Sequence, residues 1–561
     1  SWYAIQALPS LTLPQSDNAI CWAIALYANS LASHIANSTP RIKNVFDSWK
    51  ATGQSKESLL SNLQKNQELK NILLNESPWV LEAKSEQEQK ERLSTLFDLN
   101  NIQNNNLTTI KKLQQLQNED GSWSWFKGMH GSEYITEYVT RLIARIHLLT
   151  GQPLSEEVKA MQQKGIGFLH GESQRHYEWI KKAEKEGQKI KGISYSTLRY
   201  LYLLSITDSQ IPNQYKTQYN YFLNKIDEVP SSQDMQEKAL AAIILKQAGK
   251  TKVADEYMAS IKEHLTKSDE LGEYFDFNDD PFSWSCMHLN AHTAAIEAFE
   301  NVSNDNETAQ EMKLWLLKQK QTQLWDTPVS TVDAIYALIG KSSDILSNKG
   351  IVTISIANRK LSTADSNTTT GLSYLKENFT DQPTINARTI KVEKKDEGIA
   401  WGAVYAQFTE DISNVKQQGS EAFSVKKSLL VKRIVNNVEE LQPITDQNEL
   451  KVGDIVTARL VIKLNRKMDF VQLKEQRGAC FEPITQLSGY RYEAGTGYYE
   501  EIKDASTNFF FDSLQKGTYV LEINYRVSRA GSYEAGLSTL QCAYAPEFAT
   551  HSESMRITVN K

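Results

Sequence analysis

The chain has 561 residues, 40% of them hydrophobic and 23% charged, with a formal net charge of −6. That length exceeds a single core and predicts three or four domains of ordinary globular composition. The acidic balance gives no global attraction to nucleic acid or anionic lipid, and no run of eighteen apolar residues is present to span a bilayer.

Residues 1–11 (SWYAIQALPSL) open at Ser1 instead of Met and read as the interior of a longer protein. A targeting segment is therefore expected upstream. From there to about residue 345 the dominant period is helical. Apolar side chains recur at three- and four-residue spacing over 17–35, 132–149, 195–206, 236–248, 252–265, 289–300 and 308–319. Asn, Ser, Asp and Gly separate these runs as caps and turns, and ten to twelve short helices fit this half.

After 345 the period becomes two. Residues 351–360, 387–394, 399–408 and 424–435 alternate and are rich in β-branched and aromatic side chains. The polar stretch 436–448 (NNVEELQPITDQN) reads as a linker and hinge. A second β unit follows, with strands over 453–467, 517–527 and 536–545. In the first of these, Val456, Ala458, Leu460, Ile462 and Leu464 share one uniformly apolar face, which is the predicted buried face. Leu521, Ile523 and Tyr525 are predicted to point inward from the later strand, and Val520 outward. Strands at this spacing predict β-sandwiches.

The helical half contains a repeated device. Residues 107–125 run from a helix through Gln117 and Asp120-Gly121-Ser122-Trp123 into a new helix near Ser132. Residues 312–338 repeat the order with Gln321, Trp325 and a helix near Ser330. A repeated helical hairpin predicts a solenoid or a closed ring. The physical sense is a Trp wedge under the turn, with Gln satisfying backbone groups of the loop. Helix followed by Q-x₂-D-G-S-W resembles the turn motif of α/α-toroids. These include terpene cyclases, the prenyltransferase β-subunit and the thioester-containing domain of complement and alpha-2-macroglobulin.

Three groups of residues have the types that carry chemistry. Cys286, His288 and His292 give C-x-H-x₃-H, with both histidines on one helical face. Zinc takes such ligands, usually three or four, and no fourth is evident, so packing residues are the plainer reading. Asp276, Asp279 and Asp280 in YFDFNDD could form a paired-carboxylate site, although aspartates before Pro281 also read as a solvated turn and helix cap. Tyr490, Tyr492, Tyr498 and Tyr499 lie in a Gly-containing segment that reads as a binding loop or as a hairpin with cross-strand tyrosines. Four cysteines are too few for a disulfide scaffold. Cys480 and Cys542 could pair or remain buried thiols. No complete catalytic, cofactor or metal set emerges.

Residues 477–548, with the strand KGTYVLEINYRV, the turn AGSYEAG and the closing AYAPEF, resemble the C-terminal β-domain of bacterial alpha-2-macroglobulin family proteins. Residues 121–139 (GSWSWFKGMHGSEYITEYV) also resemble that family. The resemblance implies a C-terminal fragment with an α/α-toroid over 1–340. A β-domain over 341–445 would be the returning half of a domain that the toroid interrupts. A final macroglobulin-like sandwich would occupy 446–561.

Family members carry Cys-x-Glu-Gln at the start of a toroid helix, where Cys and Gln condense into an internal thioester. Anchored on LYAN (26–29), that motif should fall within 14–21. This window holds Gln15 and Cys21 in reversed order, with Ile24 three residues after Cys21. The resemblance therefore implies protease inhibition by conformational trapping without covalent capture. The implied partner is a target protease, and the implied place is the periplasm or outer surface of a bacterium, with any lipid anchor lying upstream. The competing readings are a toroid-fold enzyme (glycosidase, lyase or cyclase) and a surface structural or adhesion protein.

Overall fold

A computed structural model of the protein describes residues 2–38, 99–125, 127–207, 210–268, 271–276, 288–319, 325, 327–340, 351–363, 377–395, 402, 404, 410–419, 423–445, 448–543 and 545–561. These fall into two compact units, the first reaching to residue 401 and the second taking the described residues from 402 onward.

The first unit is helical because its sequence starts and stops helices explicitly. After a short α1 (Trp2–Ala7), α2 spans Ala19–Ser38 and α3 spans Leu99–Leu116. Ser132 caps α4 (Glu133–Thr150) by accepting from Ile135 N–H, and Gly151 ends it at φ 62°. Ser155 and Ser194 cap α5 (Glu156–Lys185) and α6 (Tyr195–Ser205) in the same way. α7 spans Lys216–Lys225. Asp234 and Glu237 form a reciprocal capping box on α8 (Met235–Gln247). Such caps satisfy amide groups that the first helical turn leaves without partners. Next come α9 (Thr251–Glu263), the hairpin β1 (Leu265–Ser268) and β2 (Gly272–Phe275), α10 (His288–Ala298), α11 (Asn306–Gln319) and α12 (Pro328–Ile339).

Alternate helices form an inner layer. α2 packs on α4, α4 on α6, α6 on α8, α8 on α10, α10 on α12, and α12 returns to α2. The odd-numbered helices α3 to α11 each pack against a neighbouring inner helix. The inner helices are buried nearly all round, as α6 shows: every residue from Thr197 to Leu204 is buried. This also accounts for α2, which is long and apolar enough to cross a membrane but is mostly buried within the unit.

Two features of this first unit depart from the sequence reading. α5 has 30 residues, where only short helices were expected. Gly165, Gly167 and Gly171 and many polar residues dilute its period. Gly165 is there for close approach: a Cβ would lie 2.5 Å from Thr140 Cγ2 and 3.0 Å from the Trp123 ring. The run 351–360 is a hairpin instead of one strand, with β3 (Val352–Ile356) and β4 (Arg359–Ser362) turning at Ala357, φ 49°. β5 (Ile390–Lys394) completes that sheet in the order β4-β3-β5. The expected strand 399–408 lies almost wholly outside the described residues.

The second unit is a β-sandwich. One sheet has the order β11-β15-β9-β6-β7 and the other β12-β13-β14-β10-β17-β18. The strands are β6 (Phe423–Val435), β7 (Val438–Pro443), β9 (Ile455–Leu464), β10 (Met468–Gln476), β11 (Phe481–Pro483), β12 (Gly489–Glu493), β13 (Thr496–Ile502), β14 (Ser506–Leu514), β15 (Gly517–Val527), β17 (Ser538–Cys542) and β18 (Ala545–His551). A small third sheet joins β16 (Gly531–Glu534), β19 (Arg556–Asn560) and β8 (Leu450–Lys451). Val456, Ala458, Leu460 and Ile462 are fully buried, Leu521, Ile523 and Tyr525 join them, and Val520 is 42% exposed. The alternation read from these two strands therefore holds.

The polar stretch 436–448 is not a hinge, and a boundary at 446 falls inside the sandwich. β6 pairs with β9 from Phe423 to Val431, and β7 pairs back on β6 from Val438 to Pro443. Asn436 and Asn437, at φ 52° and 61°, make the tight turn between them. The stretch is polar because β7 is a solvent-facing edge strand, a place where charged side chains discourage further pairing. The expected strand 536–545 is likewise two strands, with a register shift at Gln541/Cys542.

Candidate functional site

The window 14–21 forms the entry to α2. Asn18 caps the helix: its Oδ1 accepts from Cys21 N–H at 2.9 Å, and its carbonyl accepts from Trp22 N–H at 3.1 Å. Its Nδ2 donates to Ser16 Oγ at 2.9 Å, and Ser16 Oγ lies 3.3 Å from Cys21 Sγ. Buried Asn29 ties the preceding loop down by donating to Thr12 O at 2.8 Å. The Trp22 indole donates to Asp17 at 2.6 Å, which with nearby Lys112 holds that exposed carboxyl below its usual range. Cys21 is half-buried, and its hydrogen-bond neighbour among the described residues is a serine hydroxyl, not a glutamine carboxamide.

The two tryptophans occupy equivalent turns. Trp123 is fully buried, donates its indole N–H to Leu113 O at 3.0 Å, and donates its backbone N–H to Thr136 Oγ1 at 2.9 Å. Trp325 is 1% exposed, donates to Leu316 O at 2.8 Å, and pairs with Thr331 Oγ1 at 3.0 Å. Gln117 reaches Gly121 O at 2.9 Å and Met161 O at 3.0 Å, as a loop-satisfying side chain should. Gln321 lies outside the described residues.

His292 is fully buried, accepts from Phe275 N–H at 2.9 Å and stacks on Trp315 with ring centroids 3.7 Å apart. Its Nε2 lone pair is therefore committed to the β2 backbone. Cys286, the His288 side chain, Asp279 and Asp280 lie outside the described residues, and Asp276 is exposed. Among the described residues no three metal-ligating side chains come together. Cys480 and Cys542 are both buried and are not joined in a disulfide. Burial pushes Cys480 up to about 11, and Cys542 contacts Met468 Sδ at 3.6 Å. The tyrosine segment is a hairpin: Tyr490 opposes Tyr499 across β12 and β13, and the turn is Ala494-Gly495. Tyr498 faces the core, whereas Tyr490 and Tyr492 are largely exposed.

The sequence reading missed two buried charged clusters. The first lies among the inner helices. Glu137 on α4 bonds Arg141 at 3.0 Å and also Arg199 of α6. Asp333 on α12 bonds Arg141 at 3.2 Å and also Arg145. Burial works to raise the Asp333 carboxyl, but Arg145 and Arg141 hold it below its ordinary value. Glu297 on α10 accepts from the Tyr202 hydroxyl at 2.9 and 2.7 Å and from Tyr336 at 3.3 Å. Burial pushes Glu297 up, against Arg145 at 3.8 Å. The local signal was the four-residue spacing of Glu137, Arg141 and Arg145 on an otherwise apolar helix. Their partners lie up to 192 residues away.

The second cluster joins the two sheets of the sandwich. Lys427 on β6 meets Glu475 on β10 at 2.8 Å, both nearly devoid of solvent. Its ammonium also donates to Gln476 O at 2.7 Å, Ala535 O at 2.8 Å and Gly536 O at 3.2 Å. Burial raises Glu475, with Lys427 opposing.

Residues 423–547 match the family described as Bacterial Alpha-2-macroglobulin MG10 domain. That span begins where β6 begins, in agreement with the corrected sandwich boundary. No curated protein sequence matches the chain. Among solved structures, trypsin-activated alpha-2-macroglobulin from Escherichia coli is 12% identical, with TM-score 0.40, covering 82% of this chain and 30% of that one. The E. coli protein activated by porcine elastase is 11% identical, with TM-score 0.35 and coverages of 82% and 39%. A Salmonella Y1175G mutant is 12% identical, with TM-score 0.30 and coverages of 83% and 28%. The chain thus spans less than two-fifths of each of these structures. Residues 423–547 of this chain are thus similar to the MG10 domain of bacterial alpha-2-macroglobulins.

Proposed function

We propose that the chain serves in a bacterial protease inhibitor that traps its target by conformational closure and forms no thioester. The MG10 domain at 423–547 supplies the family. The single observation that carries the thioester-free reading is the α2 entry, where Asn18 caps the helix and Cys21 faces Ser16. A thioester needs a thiol and a glutamine carboxamide in contact, and window 14–21 contains no Cys-x-Glu-Gln. In this reading the inner and outer helices form the thioester-domain-like toroid over about 1–340, and the sheet β4-β3-β5 belongs to the domain it interrupts. The sandwich from 423 is then the terminal docking domain. The chain itself has no enzymatic role, and the whole protein works in the bacterial envelope.

The E. coli relatives are described as activated by trypsin and by porcine elastase, so those two proteases are the ones to test. The complete protein is mixed with either, and activity is followed on a small peptide and on a large protein substrate. Trapping leaves peptide cleavage and suppresses cleavage of the large substrate. Equal loss of both, or of neither, contradicts the proposal.

A further inference from the structure

Glu297 differs from the other two acids in the buried cluster of the helical unit. Glu137 touches two guanidinium groups, Arg141 and Arg199, and Asp333 touches two, Arg141 and Arg145. Glu297 touches none at hydrogen-bond distance. Its nearest cation is Arg145 Nη2 at 3.8 Å, and that guanidinium is already committed to Asp333 and to the Tyr202 hydroxyl at 3.3 Å. The hydrogen bonds to Glu297 come from two neutral phenols on two other helices, Tyr202 on α6 and Tyr336 on α12. Glu297 itself is 4% exposed. Three arginines thus face three acids, and two of those acids hold all the close ionic contacts. A buried carboxylate without its own cation is the member that takes up a proton.

The surroundings support this assignment. α4 presents Arg145 and, further off, Arg141 to Glu297; α6 presents Tyr202; α12 presents Tyr336. The charged groups of the other packed helices are engaged elsewhere: Lys238 on α8 bonds Ser260 at 3.0 Å, and Lys313 on α11 bonds Glu300 at 2.5 Å. On α10 itself, His292 is bonded to the Phe275 backbone. α10 then passes directly into a π-helical turn, Phe299–Ser303, a wider winding that often accompanies functional positions.

We propose that Glu297 is a proton-operated latch between the inner helices α6, α10 and α12, closed when its carboxyl is neutral and loosened when the carboxylate forms. The proton comes from solvent and returns to it, and no covalent bond changes. In the neutral form the carboxyl still bridges both phenols, while the three guanidinium groups are shared between Glu137 and Asp333. In the charged form Glu297 draws on Arg145, which Asp333 already holds.

The folded-state value of Glu297 lies above its unfolded value. Its contribution is therefore complete below the ordinary glutamate range and is lost as pH rises through the raised value. Asp333 works in the opposite sense, since its depressed value makes its contribution fade only in stronger acid.

The test uses the intact chain and two readouts. Infrared difference spectra report the carbonyl stretch of a neutral buried carboxyl, and hydrogen exchange reports peptides from α6, α10 and α12, corrected for intrinsic exchange at each pH. The expected result is a neutral-carboxyl band that persists above the ordinary glutamate range, titrates away with rising pH and is missing in Glu297→Gln. Protection of the three helices should fall across the same titration in the wild type and stay flat in the variant. If Glu297→Gln does not fold, Tyr202→Phe serves instead and should move the titration upward, because the carboxylate loses a donor. A band that titrates away within the ordinary glutamate range, or that survives Glu297→Gln, overturns the assignment. A titration that leaves helix protection unchanged overturns the latch. Neither readout depends on protease trapping.

Discussion

In the helical unit, six charged side chains from four inner helices meet in one lateral network. In the sandwich, one lysine and one glutamate bridge the two sheets. The difference follows from geometry. Each inner helix packs on the next, with α12 returning to α2, and long arginines span the distance between them, each held by an acid on another helix. Two stacked sheets are closer and flatter, and alternating aliphatic side chains fill the gap. Lys427 enters that gap where three backbone carbonyls, Gln476, Ala535 and Gly536, converge on its ammonium. The network is therefore distributed, and the sandwich pair is concentrated on a single residue.

The strongest challenge to this contrast is to remove one partner of the pair. Lys427→Met should cost about 3–5 kcal/mol, because it removes the buried ammonium that compensates the Glu475 charge and donates to three backbone carbonyls. The double variant Lys427→Met with Glu475→Leu should recover part of that loss. Urea unfolding of the sandwich transition checks both, and equal losses in single and double variants would break the account of a concentrated pair.

The tryptophan turns test whether the helical unit repeats one device. Trp123→Ala and Trp325→Ala should each cost about 3–5 kcal/mol, as for a large buried aromatic. Trp125→Ala, two residues from the first but 52% exposed, should change stability by less than about 0.5 kcal/mol. Thermal and urea midpoints of the helical transition decide. Unequal losses at Trp123 and Trp325 would show that the turns are not equivalent.

A smaller effect separates the units by pH. His170 on α5 is buried, hydrogen-bonded to Tyr200 at 2.7 Å, and its value is pushed down to about 4 by burial. Its folded value lies below its unfolded value, so its contribution is present above the ordinary histidine range and fades as pH falls toward about 4. His170→Gln should flatten that acid decline in the helical unit and leave the sandwich unaltered. An unchanged decline would place the acid sensitivity elsewhere.

Legibility in the sequence followed the range of the interaction. Caps, the 3.6 and 2.0 periods, the Trp turns and the inward face of β9 are local, and they were readable from neighbouring residues. α5 was not, because Gly165 serves close approach to Thr140 and Trp123, a contact that no local pattern records. Polar β7 resembled a linker because an edge strand and a linker share composition. The buried clusters were invisible for a further reason. Arg145 and Asp333 are 188 positions apart, and each alone reads as a surface charge. The thioester question turns on residue identity within eight consecutive positions, 14–21.

That question is also the most direct test of the account. The protein is treated with methylamine, and its intact mass and free thiols are measured before and after. The account predicts no mass gain and no new thiol, with Cys21 already titrating as a free thiol beforehand. Stoichiometric methylamine incorporation with release of one thiol would contradict it.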